Sequence, residues 1–178
     1  IRESFTTAER IRLAFEELGP TFIKLGQLMA ARPDLVPPEI VSELKSLQDK
    51  VAPHPFHDIL GVIQKELGKN NIGKFKTIHE IPVGSASIGQ VHEAELMDGT
   101  RVVIKVRKPQ IKKIVDTDIH ILYQLAKLLE RYIPETRPFN PTGIVDEFFR
   151  SLYKELDFRI EAHNIERISK NLENNKDI

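Results

Sequence analysis

The stretch Val83-Gly84-Ser85-Ala86-Ser87-Ile88-Gly89-Gln90-Val91 constrains this chain more than any other. Counted back from Val91 it has the spacing G-x-G-x-x-G-x-V, with Ala86 where the middle glycine would stand. A loop of that spacing lays backbone N–H groups over nucleotide phosphates, and a lysine on the next strand pairs with them. Here that strand is Val102-Val103-Ile104-Lys105. Before it, His92, Ala94 and Leu96 alternate with Val91, Glu93 and Glu95, the period of a half-buried strand. Asp98-Gly99 predicts a two-residue hairpin turn, since both residues tolerate positive φ. The glycine spacing alone is weak evidence; the lysine strand at the right distance strengthens it.

The rest of the chain reads as helices around that sheet. Phe15, Leu18, Phe22, Leu25 and Met29 recur at steps of three and four across 10–31, with a break predicted at Gly19-Pro20. A proline-rich connector, 32–38, leads to a second helix from Glu39 carrying Ile40, Leu44, Leu47 and Val51 on one face. Phe56, Leu60, Ile63 and Leu67 mark a third helix, stopped by Gly68, and a first strand follows near 75–81. After Lys105 a helix is predicted over 111–132 and a stiff Pro134, Pro138 and Pro141 linker comes next. One long final helix is predicted from Thr142, as N-cap, to near Asn171, with Val145, Phe149, Leu152, Leu156, Ile165, Ile168 and Leu172 as its apolar stripe. The fold class expected is α+β: a protein-kinase-like small lobe, an antiparallel sheet plus its αC helix, with an N-terminal helical extension and inserted helices. The extension covers 1–73 and the lobe 74–178, with strands over 74–106, the inserted helix over 111–133 and the αC region over 142–171.

Composition narrows the function. The 26 basic and 26 acidic residues cancel, so no general field draws the chain to nucleic acid. Without cysteine there is no disulfide framework, which suits a reducing compartment. No apolar run reaches the roughly 20 residues that span a bilayer. The expected location is cytoplasmic, or peripheral to a membrane on its reducing side. The six histidines show no ligand spacing, and no metal site is expected in these residues. Neither H-R-D nor D-F-G occurs, so the catalytic base, the metal-binding aspartate and the large lobe are expected beyond Ile178, and this piece alone is not expected to be catalytic.

Three motifs resemble the UbiB-type (aarF/ABC1-like) atypical kinases. Leu18-Gly19-Pro20-Thr21-Phe22-Ile23-Lys24-Leu25-Gly26-Gln27 is similar to that family's KxGQ helix, and runs on into Ala31-Arg32-Pro33-Asp34-Leu35-Val36-Pro37. Ala86-Ser87-Ile88-Gly89-Gln90-Val91-His92 resembles its alanine-rich loop, and Glu155-Leu156-Asp157-Phe158-Arg159-Ile160-Glu161-Ala162 its ExD motif with the αC segment. The resemblance covers nearly the whole chain. It implies that Lys105 is the nucleotide lysine and Glu161 its αC partner, the two catalytic candidates. Val83, Gly84, Ser85, Ala86, Ser87, Ile88, Gly89 and Val91 would bind nucleotide with Lys105. Lys24, Gly26 and Gln27 would belong to a helix folded over the site against a protein substrate, with Glu155 and Asp157 facing it. ATP and Mg are the implied cofactors, the metal's ligands lying mainly downstream. ATPase or small-molecule kinase activity supporting ubiquinone or other prenyl-lipid metabolism is implied, with a prenyl lipid or membrane surface and other lipid-biosynthesis proteins as partners. The sequence departs from the usual alanine run at Gly84-Ser85, while Ala86 keeps the middle position.

Plainer readings stand beside these. Lys24 and Gln27, three apart, share a helical face and fit an ordinary polar edge. On one continuous helix Glu155 and Asp157 would lie about 200° apart, which excludes a paired acid and base on one face. Asp157 and Glu161, four apart, would repel unless a cation such as Lys105 or Lys24 met them. Arg107-Lys108 and Lys112-Lys113 around Pro109 read first as a solvated helix start and second as a contact for acidic headgroups. Two functional classes follow: the nucleotide-binding lobe of an ATPase or small-molecule kinase, and a pseudokinase-like module binding lipid or protein. A conventional protein kinase lobe is the remaining alternative.

Overall fold

A computed structural model describes residues 5–34, 36–47 and 52–172. Helix α1, Thr7–Leu18, opens on a capping box in which Thr6 Oγ1 accepts the Glu9 N–H and the Glu9 carboxylate accepts the Thr6 N–H. Gly19, at φ 96°, turns the chain, and Pro20 starts α2, Pro20–Ala30, so the predicted break is real. Helix α3, Pro38–Leu44, is shorter than its stripe predicts, because the chain closes there with the Ser46 hydroxyl donating to the Glu43 carbonyl. Leu47 still reaches the core from the turn, while Val51 lies outside the described residues. Ile23, Leu44 and Leu47 are the buried centre of these helices, and Phe15 and Met29 pack on it. Leu18, placed on that stripe by its period, is exposed instead, one residue before the break.

Helix α4, Phe56–Ile72, kinks at Gly68 (φ 70°) rather than stopping there, and one further turn follows. It buries Ile59 and Ile63 against Val106, Ile78 and Ile104 of the sheet. The sheet has four antiparallel strands: β1, Phe75–Ile78; β2, Gly84–Ser85; β3, Gly89–Leu96; β4, Arg101–Arg107. Strand β3 pairs with β4 from Gly89↔Arg107 to Glu95↔Arg101, and with β1 and β2 along its other edge. The β3–β4 loop is Met97-Asp98-Gly99, one residue longer than the dipeptide predicts: Leu96 N–H bonds to the Thr100 carbonyl and Gly99 takes φ 87°. That is the three-residue hairpin with its glycine in the left-handed region.

Helix α5, Ile111–Tyr132, follows the predicted range, and Pro134–Phe139 forms a 3₁₀ turn. The N-cap of α6, Pro141–Leu156, is Asn140, whose Oδ1 accepts the Gly143 N–H. Thr142, the expected cap, instead gives its N–H and hydroxyl to Glu130. Helices α5 and α6 bury Val115, Ile119, Ala126, Val145, Phe148, Leu152 and Leu156, joined by Ile88 from the loop. The predicted final helix is two helices. The chain leaves helical geometry at Asp157 (φ −95°, ψ 87°) and resumes as α7, Phe158–Leu172. Asp157 Oδ1 accepts the Arg159 N–H two residues on, a local bond that competes with helix continuation. Because α7 departs in a new direction, Ile165, Ile168 and Leu172 are exposed rather than buried with the first half of their stripe.

Candidate functional site

A cavity of about 1090 Å³ opens between the loop at 83–91 and the start of α7. All of Val83, Gly84, Ser85, Ala86, Ser87, Ile88, Gly89 and Val91 line it, with Lys105 from β4, Glu155 and Asp157 from the α6–α7 corner, Glu161 from α7 and Lys24 from α2. The loop is the turn between β2 and β3, held by the Ala86 N–H to the Gly89 carbonyl at 2.8 Å. Among the described residues, Ser85 Oγ is a buried side-chain oxygen with no hydrogen-bond partner.

Lys105 Nζ stands 2.5 Å from Glu161 Oε2 and 4.7 Å from the centre of the Phe158 ring. The helix break makes this possible, since α7 begins at Phe158 and brings Glu161 round within its first turn. The side chains are 41% and 50% exposed, so a buried ion pair, as a strand lysine would suggest, is not what forms. Its contribution to stability is that of an exposed pair, about 0–1 kcal/mol.

Helix α2 contributes Lys24 to the cavity wall and is fastened to its surroundings. Thr21, fully buried, gives its hydroxyl to Asp118 of α5 at 2.5 Å. Lys24 Nζ lies 3.2 Å from Glu155 Oε2, and Arg32 reaches Glu147 of α6 at 3.7 Å. Gly26 lies against α1 and α3: a Cβ there would stand 2.3 Å from Leu47 Cδ1 and 2.8 Å from Phe15 Cδ2. Gln27 donates to the Leu47 carbonyl at 3.4 Å, so it ties α2 to the turn after α3 rather than to the carboxylates.

Glu155 lies in the last turn of α6 and Asp157 between helices, so the 200° separation on one helix does not apply. The Asp157 carboxylate takes a two-pronged bond from the Arg159 guanidinium at 2.8 and 2.7 Å. Arg159, chiefly through these bonds, holds the Asp157 carboxyl down to about 2. With a folded pKa below the unfolded one, the stabilisation from this pair is fully present above about pH 4 and lost as pH falls through about 2. Carboxyl-resolved NMR titration should therefore give Asp157 a midpoint near 2. An ordinary aspartate midpoint near 4 would show that the Arg159 fork does not form in solution.

Sequence reading missed two side chains. Phe158 stacks under Lys105 and touches the loop at Gly89; only its place after Asp157 hinted at a role. Gln90 is buried, accepts the His54 N–H at 2.9 Å and contacts His92 Nε2 at 2.8 Å, pinning the segment before α4 to the loop's strand. Its polarity on an inward strand position was the available signal.

Residues 46–178 match the ABC1 atypical kinase-like domain. The chain is 40% identical over 166 residues to the "Probable protein kinase UbiB" of Marinobacter nauticus, covering 93% of this chain and 30% of that protein. The Vibrio cholerae protein of the same name is 42% identical over 171 residues, covering 96% and 31%. The chain thus spans about a third of the length of these curated relatives. Among solved structures, that of the Rv3197–erythromycin complex from Mycobacterium tuberculosis matches 86% of this chain and 38% of that one, with a TM-score of 0.59 and 28% identity. The small antiparallel sheet with its flanking helices is a kinase-like lobe, and the chain belongs to the ABC1 atypical kinase-like family, with UbiB proteins as relatives.

Proposed function

We propose that this chain is the nucleotide-holding part of an ATP-dependent atypical kinase or ATPase of the UbiB type, supporting ubiquinone or other prenyl-lipid metabolism. The observation that carries the reading is the Lys105–Glu161 pair on the wall of a cavity roofed by the loop at 83–91. When bound, ATP supplies the transferable phosphoryl group. Lys105 would meet its phosphates, Glu161 and the Phe158 ring would hold the lysine's direction, and loop N–H groups would meet phosphate oxygens. Among the described residues no cluster of three acids or histidines suits a metal ion, so no step through Mg is assigned to these residues.

The Lys24–Glu155 pair at the cavity wall favours a small or lipid-like substrate over a protein one. Lys24 lines the cavity and is paired with Glu155, where a conventional kinase leaves a groove for a peptide hydroxyl. Titrating ATP with magnesium into the full-length protein tests the proposal. Saturable thermal stabilisation is expected, about 2.7 kcal/mol at a hundredfold excess over Kd. No stabilisation at any nucleotide concentration overturns it.

Ala86 refines the expectation for the loop. Its φ is not positive, so a backbone-strain penalty relative to glycine is ruled out. What remains is its Cβ on the cavity lining. Ala86→Gly should tighten ATP binding by roughly threefold, short of the tenfold that 1.4 kcal/mol represents. Identical dissociation constants by calorimetry would show that this alanine does not tune the site.

A further inference from the structure

Residues 52–55 lead from α1–α3 into α4, and the root of the loop at 83–91 holds them at every second residue. Ala52 offers its carbonyl to Lys108 Nζ at 3.4 Å. His54 has both backbone groups engaged by one side chain: Gln90 Oε1 accepts its N–H at 2.9 Å, and Gln90 Nε2 donates to its carbonyl at 3.4 Å. Phe56, the first residue of α4, rests its ring 5.5 Å from that of His92. Between these anchors Pro53 is set on the wall of the nucleotide cavity. The amide at the centre holds a single orientation. Gln90 is 1% exposed and His92 is fully buried. The His79 carbonyl only accepts, so His92 Nδ1 donates to it at 2.7 Å and Nε2 is left to accept from Gln90 Nε2 at 2.8 Å. A flipped amide would oppose acceptor to acceptor at His92 and donor to donor at His54. Gln90 is also the ladder residue at the loop's root, opposite Ser85 of β2 and Val106 of β4. Lys108 joins the same parts, since its backbone N–H donates to the Ile88 carbonyl at 2.9 Å while Nζ reaches Ala52.

We propose that Gln90 and Lys108 are positioning residues of the nucleotide cavity: they clamp the 52–55 linker to the root of the loop, so that a seated linker and a bound nucleotide support each other. The clamp acts on the cavity in two ways. It places Pro53 on the wall, and it braces Gln90 and Ile88, from which the loop springs. Lys108 is not among the described residues that line the cavity, so its effect on a nucleotide runs through the linker and the loop. Coupling of this kind is reciprocal: what nucleotide gains from the seated linker, the linker gains from nucleotide. The inference rests on the nucleotide reading and deepens it.

The test uses the full-length protein. His54 lies between Pro53 and Pro55, so its N–H is the one exchangeable backbone amide of 53–55, and its hydrogen exchange reads the clamp directly. It should exchange faster than the core amide of Ile63 in α4, as a local opening does, and slow by roughly threefold or more when ATP and magnesium are added. Gln90→Leu should remove that protection and weaken ATP binding by roughly 2- to 30-fold. Because it also strands buried polar groups and lowers Tm, Lys108→Met supplies the comparison at fixed stability. Burial already pushes the Lys108 pKa down, so deleting its charge should leave Tm unchanged. ATP affinity should still fall by roughly twofold or more, and the loss should persist at high salt, which screens the general field of a cation. Lys76→Met deletes an equal charge from the pair with Glu95 at the far end of the sheet and should bind ATP like the parent. A parent that binds no nucleotide overturns the nucleotide reading and this proposal together. A parent that binds, with either clamp variant binding as tightly or with His54 exchange indifferent to ATP, overturns the proposal and leaves that reading standing.

Discussion

Lys105→Met in the full-length protein is expected to lower ATP affinity by about 10- to 150-fold while the fold stays intact. A hydrogen bond from a charged donor contributes about 1.5–3 kcal/mol, and that range converts to those factors. The fold is spared because the lysine is 41% exposed and its partner Glu161 is 50% exposed, so the pair adds little stability. Glu161→Gln should do less. It removes the anchor at 2.5 Å but leaves the Phe158 ring 4.7 Å beneath the ammonium, so the lysine keeps part of its orientation. Calorimetric titration with matched thermal melts separates these effects. Parent-like binding by Lys105→Met would remove this lysine from the nucleotide site, and with it the reading of the cavity. A melt lowered by many degrees would instead show a structural role that its exposure does not predict.

The sheet and its corner were legible because their signals are local and mutually consistent. Glycine spacing, strand alternation and a turn dipeptide all fall within 83–105, and the observed strands follow them with a one-residue error at the hairpin. Helix α5 was legible for the same reason, as an uninterrupted period ending before Pro134. The failures cluster where a side chain overrides a period. From 142 to 171 the apolar stripe continues through Asp157, yet that aspartate bonds to Arg159 and breaks the helix. The same break sets Glu161 opposite Lys105, so the detail that sequence periodicity hid is the one that assembles the site. Thr142 carries the sequence signal of a cap, a hydroxyl before an apolar period, while Glu130, from a helix earlier in the chain, claims its donors. Three-dimensional competition of that kind leaves no periodic trace.

Gly84 and Gly89 look alike in the sequence, as the outer glycines of one loop, and they should respond very differently to alanine. Neither takes positive φ, so backbone strain does not distinguish them. A Cβ on Gly84 would have nothing within 4 Å. Gly84→Ala should therefore be neutral or stabilise by up to about 1 kcal/mol, through loss of unfolded-state freedom. A Cβ on Gly89 would stand 2.7 Å from the Val106 carbonyl oxygen and 2.9 Å from Phe158 Cζ. The first of these is backbone in β4, fixed by the ladder in which Gln90 faces Val106 and Gly89 faces Arg107, so it yields only by opening that pairing. The second is the ring under Lys105, so relief on that side tilts the lysine's support. Overpacking costs about 1–3 kcal/mol, and a fixed backbone neighbour puts Gly89→Ala at the upper end. For a chain of this size that lowers Tm by roughly 4–10 °C. Thermal melts of the two alanine variants, run side by side, measure the difference directly. Equal melting temperatures would mean that β4 and Phe158 are not packed on Gly89, and the account of how α7 is held against the loop would fall with them.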